Sequence, residues 1–404
     1  MGNINAPKIR FPDFKGDWIN NSLGEIAKFS KGKGISKEDI SESGETECIR
    51  YGELYTTYNE TIDTVFSKTN LDTSDLVLSE ANDIIIPASG ETQIDIAKAS
   101  CVLKSGIALG GDLNIIKSPN NGVFLSYYLN SKKNIDIAQL AQGISVVHLY
   151  AGQLSKLQLR IPSLPEQKKI ASFFSTIDQK ISRLKRKKIL LEKYKTGVMQ
   201  KIFSQEIRFR NDNGQEFPNW EKKRLGSIFK ERNIQVPKSD EYPLMAFVAN
   251  KGVAQKGERY NREFLVNDGD NKKYKQTEYG DFIYSSNNLE TGSIGLNSFG
   301  SASISPVYSI FQIGESCNPQ FISCYLVRKS FINKMTSYRQ GVVYGQWRIH
   351  ESDFLKIEEM IPCIEEQTKI AYFLSAIDNK ITHTQTQIEK AVVWKKGLMQ
   401  QMFC

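Results

Sequence analysis

The chain has 404 residues, of which 40% are hydrophobic and 24% charged, and its formal net charge is +8. That length exceeds one ordinary core, so two globular units are expected, and the composition excludes a disordered or fibrous chain. The longest apolar runs are as short as Ile84-Ile85-Ile86, and MGNINAPKIRF holds no apolar signal core, so neither a membrane span nor a leader is expected. Six cysteines, Cys48, Cys101, Cys317, Cys324, Cys363 and Cys404, form no CxxC pair. They fit reduced thiols in a cytoplasmic protein better than disulfides or zinc. The basic balance permits a nucleic-acid partner without demanding one.

Residues 1–160 read as an α+β block. Short β-rich runs (CIRYGEL, TVFSK, DIIIPAS) alternate with Gly-, Asn- and Ser-rich turns, and one helix is predicted around Phe124–Asn130 and onward. Basic, aromatic and hydroxyl residues collect in its loops: Lys31 and Lys33 around a glycine, Tyr51, Ser89, and a Gln142-Gly143 turn followed by Ser145, His148 and Tyr150. Residues 161–206 read as a long helix. Its apolar residues Ile170, Phe173, Ile177, Ile181, Leu184, Leu191 and Val198 recur in steps near 3.5, the spacing of a coiled-coil seam. Pro165 suits its first turn.

Residues 207–360 form a second α+β block, with strand-like LMAFVAN, FIYSS and YSIFQIG and a helix over Pro319–Thr336. Its polar and aromatic loop residues are Lys251, Arg259, Tyr260, Lys272, Lys273 and Asn287. A turn at Gln340-Gly341 adds Arg339, Tyr344, Gln346, Trp347 and Arg348. Arg, Lys, Asn and Gln suit base edges and phosphates, so these residues and those of the first block are the candidate DNA contacts, weak signals taken one by one. Residues 361–404 form a second long helix with Ile370, Phe373, Ile377, Ile381, Ile388, Trp394 and Leu398 on its seam.

The two helices are copies. IPSLPEQKKIASFFSTIDQKI at 161–181 returns without a gap as IPCIEEQTKIAYFLSAIDNKI at 361–381, and the identities run on through Lys195/Lys395, Gly197/Gly397 and Phe203/Phe403. The preceding blocks match more faintly: FPDF and LGEI answer FPNW and LGSI, and FLSYYL answers FISCYL. The chain therefore reads as domain, helix, domain, helix, a duplication rather than a solenoid. A helix of about 38 residues is roughly 57 Å long and would leave its apolar stripe wet if alone. The other copy is the natural partner, which predicts an antiparallel intramolecular coiled coil with a pseudo-twofold axis, interrupted at Lys188 and Thr384. The copies differ in charge: residues 165–203 hold eleven Lys/Arg and three Asp/Glu, residues 365–403 five and four. The run Arg183-Leu184-Lys185-Arg186-Lys187-Lys188 is the sharpest basic cluster, readable as a solvated face, a phosphate contact or a docking face for an acidic partner.

Catalytic signatures are missing. Asn318-Pro319-Gln320-Phe321 resembles an amino-methyltransferase motif, but its third residue is Gln and no Gly-rich cofactor loop precedes it; a capped helix start accounts for it. There is no GxxxxGK[ST], and His148, His350 and His383 have no metal-ligand spacing. No catalytic residue and no metal ligand is predicted.

FPxF/W, LGxI, a β-rich block, a Gln-Gly turn and IP-x-x-x-EQ-x-KIA-x-F-x-x-ID-x-KI, all occurring twice, resemble the specificity subunit of type I restriction–modification systems. The resemblance covers essentially the whole chain. It implies two target recognition domains, each reading one half of a bipartite asymmetric sequence in double-stranded DNA. It further implies spacer helices that set the half-site separation and dock two methyltransferase subunits, with restriction (motor–nuclease) subunits joining through them. Adenine methylation with S-adenosylmethionine, and cleavage with ATP and Mg, then belong to those partners, and this chain is non-catalytic without a cofactor of its own. The implied boundaries are 1–160 and 207–360 for the domains and 161–206 and 361–404 for the helices. Two departures stand out: Pro165 is answered by Glu365, and the basic run at 183–188 is answered by His-Thr-Gln-Thr-Gln-Ile. The alternatives are a fused methyltransferase or nuclease, and a coiled-coil adaptor without a DNA role.

Overall fold

Both repeated segments form single uninterrupted helices, Leu164–Phe203 and Ile364–Met402, in the computed structural model, which describes residues 6–143, 146–237, 239–255, 273–341 and 347–404. The chain divides into two compact units: Met1–Lys187 with Thr384–Cys404, and Lys188–His383. Each unit thus contains one α+β block, the first part of the helix that follows it, and a stretch of the other long helix. Among the described residues no helix is long and apolar enough to cross a membrane.

In the first unit a five-stranded sheet runs Lys28–Lys31, Leu113–Lys117, Ile84–Pro87, Ser100–Val102, Thr61–Ile62, antiparallel except for the last pair. The Ile84-Ile85-Ile86 run is its central strand. Alternation sends Ile84 and Ile86 into the core shared with the helix Gly122–Ser131 and with the long helices, and Ile85 into a second core with Ile49, Leu54 and Val102. A three-stranded sheet of Ser67–Thr69, Thr46–Ile49 and Ala108–Leu109 covers that second core.

The second unit repeats the plan. Its four-stranded sheet runs Phe229–Glu231, Ser309–Ile313, Phe282–Tyr284, Ile294–Leu296. Phe282 and Tyr284 face the long-helix core, and Ile283 faces a second core with Phe247, Ile304 and Ile310. In both units a short antiparallel pair ties the start of the block to the residues leading into its long helix: Ile19–Ser22 with Gln158–Ile161, and Glu221–Arg224 with Glu358–Ile361.

Three predicted elements differ, the first being TVFSK, which enters a strand only at Ser67. CIRYGEL is a strand only to Ile49; Tyr51–Thr56 is a helix, because the Glu53 carboxylate accepts the Arg50 backbone N–H at 2.8 Å and caps it. The helix over Pro319–Thr336 breaks into Pro319–Tyr325 and Lys329–Thr336, with the Arg328 guanidinium 3.6 Å over the Tyr325 ring at the break. Its start is the predicted cap: Asn318 Oδ1 accepts from Phe321 N at 3.1 Å, with Pro319 in the first turn.

Candidate nucleic-acid interface

The scaffold beneath the interface is a polar lock built twice from the Glu-Gln pair of the repeat. In the first unit the buried Glu166 takes Arg10 Nε and Nη2, both at 2.8 Å, and Trp18 Nε1 at 3.4 Å. Gln167 accepts the Asn121 N–H at 2.9 Å and donates to Pro162 O at 2.9 Å. In the second unit Glu366 takes Arg208 Nε and Nη2 at 3.2 and 2.7 Å and Trp220 Nε1 at 3.1 Å. Gln367 accepts from Asn318 N at 2.8 Å and donates to Pro362 O at 2.9 Å. Each lock fastens the start of a long helix to its own α+β block through charge-assisted bonds.

A second tie joins the helices antiparallel. In the first unit Lys395 Nζ reaches Asp178 at 2.8 Å and Glu60 at 3.0 Å, and Phe403 stacks on Phe174 with ring centroids 5.7 Å apart. Burial, and then the Asp178 charge, push the Tyr127 phenol up, so it stays a donor to Asp178 at 2.5 Å. In the second unit Lys195 Nζ holds both Asp378 oxygens at 2.6 and 2.8 Å. The fully buried seam residues are Ile170, Phe174, Ile177 and Ile370, Leu374, Ile377. Ile181 and Ile388 are buried too. Phe173, Leu184, Leu191, Val198, Phe373, Ile381 and Leu398 are half-buried, and Trp394 is 54% exposed with its edge against Phe173. Lys188 is half-buried and Thr384 fully buried at the predicted interruptions.

On this scaffold each Gln-Gly pair opens a short antiparallel ladder. Gln142 and His148 exchange backbone bonds of 2.9 and 2.7 Å, and a Cβ at Gly143, whose φ is +125°, would lie 2.0 Å from Val146 O. Val147–His148 pairs with Ser89–Gly90, so the buried Ser89 supports the ladder, while His148 and Tyr150 stack in the open with centroids 6.2 Å apart. Glu91, the residue after the paired Gly90, lines a cleft of ≈ 950 Å³ with Lys37, Arg50, Tyr51, Tyr55 and Asp112. Lys31, which ends the strand Lys28–Lys31, and Lys33 just beyond it are exposed, Lys33 Nζ lying 3.5 Å from Asp75. A Cβ on Gly32 would lie 2.0 Å from Gly110 O, so only glycine fits between them.

In the second unit Gln340–Gly341 pairs with Trp347–Arg348. Asn287 Oδ1 accepts the Trp347 N–H at 2.6 Å. The Arg339 fork meets Glu290 at 2.6 and 2.7 Å and donates to Ser286 O at 2.9 Å. Arg339 and Asn287 therefore pin the ladder, leaving Trp347 and Arg348 exposed. Glu290 also lines a cleft of ≈ 820 Å³ with Lys251, Asn250 and Tyr279. Lys273 is exposed. The candidates Ser145, Arg259, Tyr260, Lys272, Tyr344 and Gln346 lie outside the described residues.

Cations, carboxylates and tyrosines in one cleft match base edges better than phosphates alone, since Arg and Lys pair with guanine and carboxylates accept the cytosine amino group. No group of His, Cys, Asp or Glu among the described residues is arranged to hold a metal ion. Sequence reasoning missed Arg10, Trp18, Arg208 and Trp220, which lie about 150 positions before the glutamates they hold. It also missed Lys37, Arg50, Glu91 and Asp112, whose only signal is the cleft itself.

Two α+β blocks on duplicated helices, each carrying a short ladder and a polar cleft, define a two-domain scaffold with two unlike polar surfaces. The sequence matches the type I restriction modification DNA specificity domain twice, over residues 15–193 and 218–392. The chain belongs to that family and is a specificity subunit with two DNA-specificity domains. It is 25% identical over 416 residues to the type I restriction enzyme MjaVIII specificity subunit of Methanocaldococcus jannaschii, covering 97% of this chain and 92% of that one. Its fold is similar to the crystal structure of the type I restriction-modification S subunit from M. genitalium (TM-score 0.62, 16% identity, 99% of both chains). It is likewise similar to the HsdS subunit from Thermoanaerobacter tengcongensis (TM-score 0.50, 15% identity, 95% of both chains).

Proposed function

We propose that residues 1–160 and 207–360 each read one half of a bipartite, asymmetric target in duplex DNA. The helices of 161–206 and 361–404 fix the unread gap between the halves. The observation that carries this reading is the contrast between what the copies share and what they do not. The Glu-Gln lock and the Asp–Lys tie are the same in both units, whereas the exposed residues are Tyr51, His148 and Tyr150 in one and Lys251, Trp347 and Arg348 in the other. A constant mount carrying two unlike surfaces is what an asymmetric target needs. In this reading Lys31, Lys33 and Lys273 meet phosphates, which makes binding salt-sensitive.

The chain itself is non-catalytic in this account. Two methyltransferase subunits supply S-adenosylmethionine chemistry on adenine, and restriction subunits use ATP and Mg. The apolar side chains left open on the long helices, Tyr194 and Tyr372 in one unit and Val393 and Trp394 in the other, support docking of two copies of one partner. The test is domain exchange: replacing residues 1–160 by the corresponding block of another such subunit should change one half-site and leave the other half and the gap intact. Altered recognition at both halves would reject the reading. Purified alone with S-adenosylmethionine and DNA, the chain should transfer no methyl group.

A further inference from the structure

The basic surface of the first long helix is larger than its 183–188 run. At about 100° per residue, Lys168, Lys169, Lys180, Arg183, Arg186 and Lys187 fall within an arc of about 120°, clear of the arc holding Ile170, Phe174, Ile177 and Ile181. All six are exposed and none makes an ion pair among the described residues, Lys169 lying 5.7 Å over the Phe11 ring. Nearby acids are already used: Glu166 is held by Arg10, Asp178 by Lys395, and Glu389 on the facing stretch of the other helix accepts from Gln385 at 2.7 Å. A solvated helix face usually interleaves acids three or four residues from its cations. This face holds none. The equivalent positions of the second helix are Thr368, Lys369, Lys380, His383, Thr386 and Gln387, and there Lys369 is bound to Asp212 at 2.6 Å. The copy that folds the same way keeps only Lys369 and Lys380 of the six cations, so most of this charge is not needed for folding.

We propose that this face grips the phosphates of the duplex between the two half-sites, on the side of the half read by residues 1–160. The inference rests on the bipartite reading above. From Lys168 to Lys187 the helix rises about 28 Å, close to the roughly 34 Å of one B-DNA turn, so its cations can meet successive phosphates along one side. Arg183 and Arg186 bring forks that match phosphate oxygens. The gap would then be unread in sequence but held by its backbone, and held unequally, because the second helix has no such face.

The test uses the full chain in complex with its methyltransferase partner and the variant Lys180→Gln, Arg183→Gln, Arg186→Gln, Lys187→Gln. Gln keeps helix propensity, and circular dichroism checks the fold. Each phosphate contact removed should flatten the slope of log K against log salt by about 0.9, about 3 to 4 in all. The methylated sequence and its gap length should stay as in the parent complex, while backbone protection within the gap is lost near the first half-site. Lys185→Gln, on the other side of the helix, should leave the slope close to that of the parent. An unchanged slope with intact partner binding would make the face merely solvated. An unchanged slope with lost partner binding would make it a protein-docking face. Either result overturns the proposal, whereas a parent complex with no two-part motif would count against the bipartite reading instead.

Discussion

Removing the Glu366 carboxylate should cost more than any exposed change nearby. The side chain is 1% exposed, and it receives two guanidinium N–H groups of Arg208 and the Trp220 indole N–H. Arg208 also donates to Phe217 O at 3.1 Å and Pro218 O at 2.6 Å, so in Glu366→Ala it stays in place with its counter-charge gone. Stranding one partner of a buried ion pair costs about 3–5 kcal/mol. In a unit of roughly 200 residues each kcal/mol moves Tm by about 2–4 °C, so a drop of about 6–20 °C is expected. Scanning calorimetry measures it. Glu365→Ala, one residue away but exposed, should stay within about 0.5 kcal/mol of the parent. The double variant Arg208→Met, Glu366→Leu should recover much of the loss, since neither charge is then left alone. Equal Tm values for Glu366→Ala and Glu365→Ala would refute the lock.

Acid should weaken the first unit through Glu60. Burial opposes its charge, but Lys395 and Lys98 hold its carboxyl below the ordinary value of 4.5. A depressed acid adds stability that is present above its unfolded value and lost as pH falls through the folded one; denaturant titrations from pH 6 to pH 3 should therefore show a smaller acid loss in Glu60→Gln. Burial pushes the thiols of Cys48 and Cys317 up to about 11 and that of Cys101 to about 12. Maleimide at pH 8 should label these three at least about 100-fold more slowly than free cysteine until the chain is unfolded. Gly143→Val should open the first ladder and change recognition at one half-site only, read by binding selection on randomised duplexes, because a Cβ cannot fit at 2.0 Å from Val146 O.

Much of the architecture was legible because duplication lets a chain be compared with itself. The gap-free match of 161–203 to 361–403 marked two long helices and their mutual packing. The Glu-Gln pair was visible as identities but not as a lock, since its partners Arg10 and Arg208 come from distant parts of the chain. A period near 3.5 placed Phe173 and Phe373 on the seam, whereas Phe174 and Leu374 are fully buried and carry it; one position of helical phase is too fine for a pattern with apolar residues at both. RYGEL looked strand-like by composition, and one capping carboxylate made it a helix. Arg339 looked free to bind DNA because Glu290, 49 positions earlier, gives no local sign that it will take the charge. Trp347 and Arg348, named from the neighbouring Gln-Gly pair, are exposed.

Sequencing the methylated bases in a host that carries this chain with its methyltransferase partner reads out bipartite recognition itself. Methylated adenines should lie in a two-part asymmetric motif whose halves are separated by a gap of fixed length and free sequence. A single continuous motif, or two identical inverted halves, would contradict this reading.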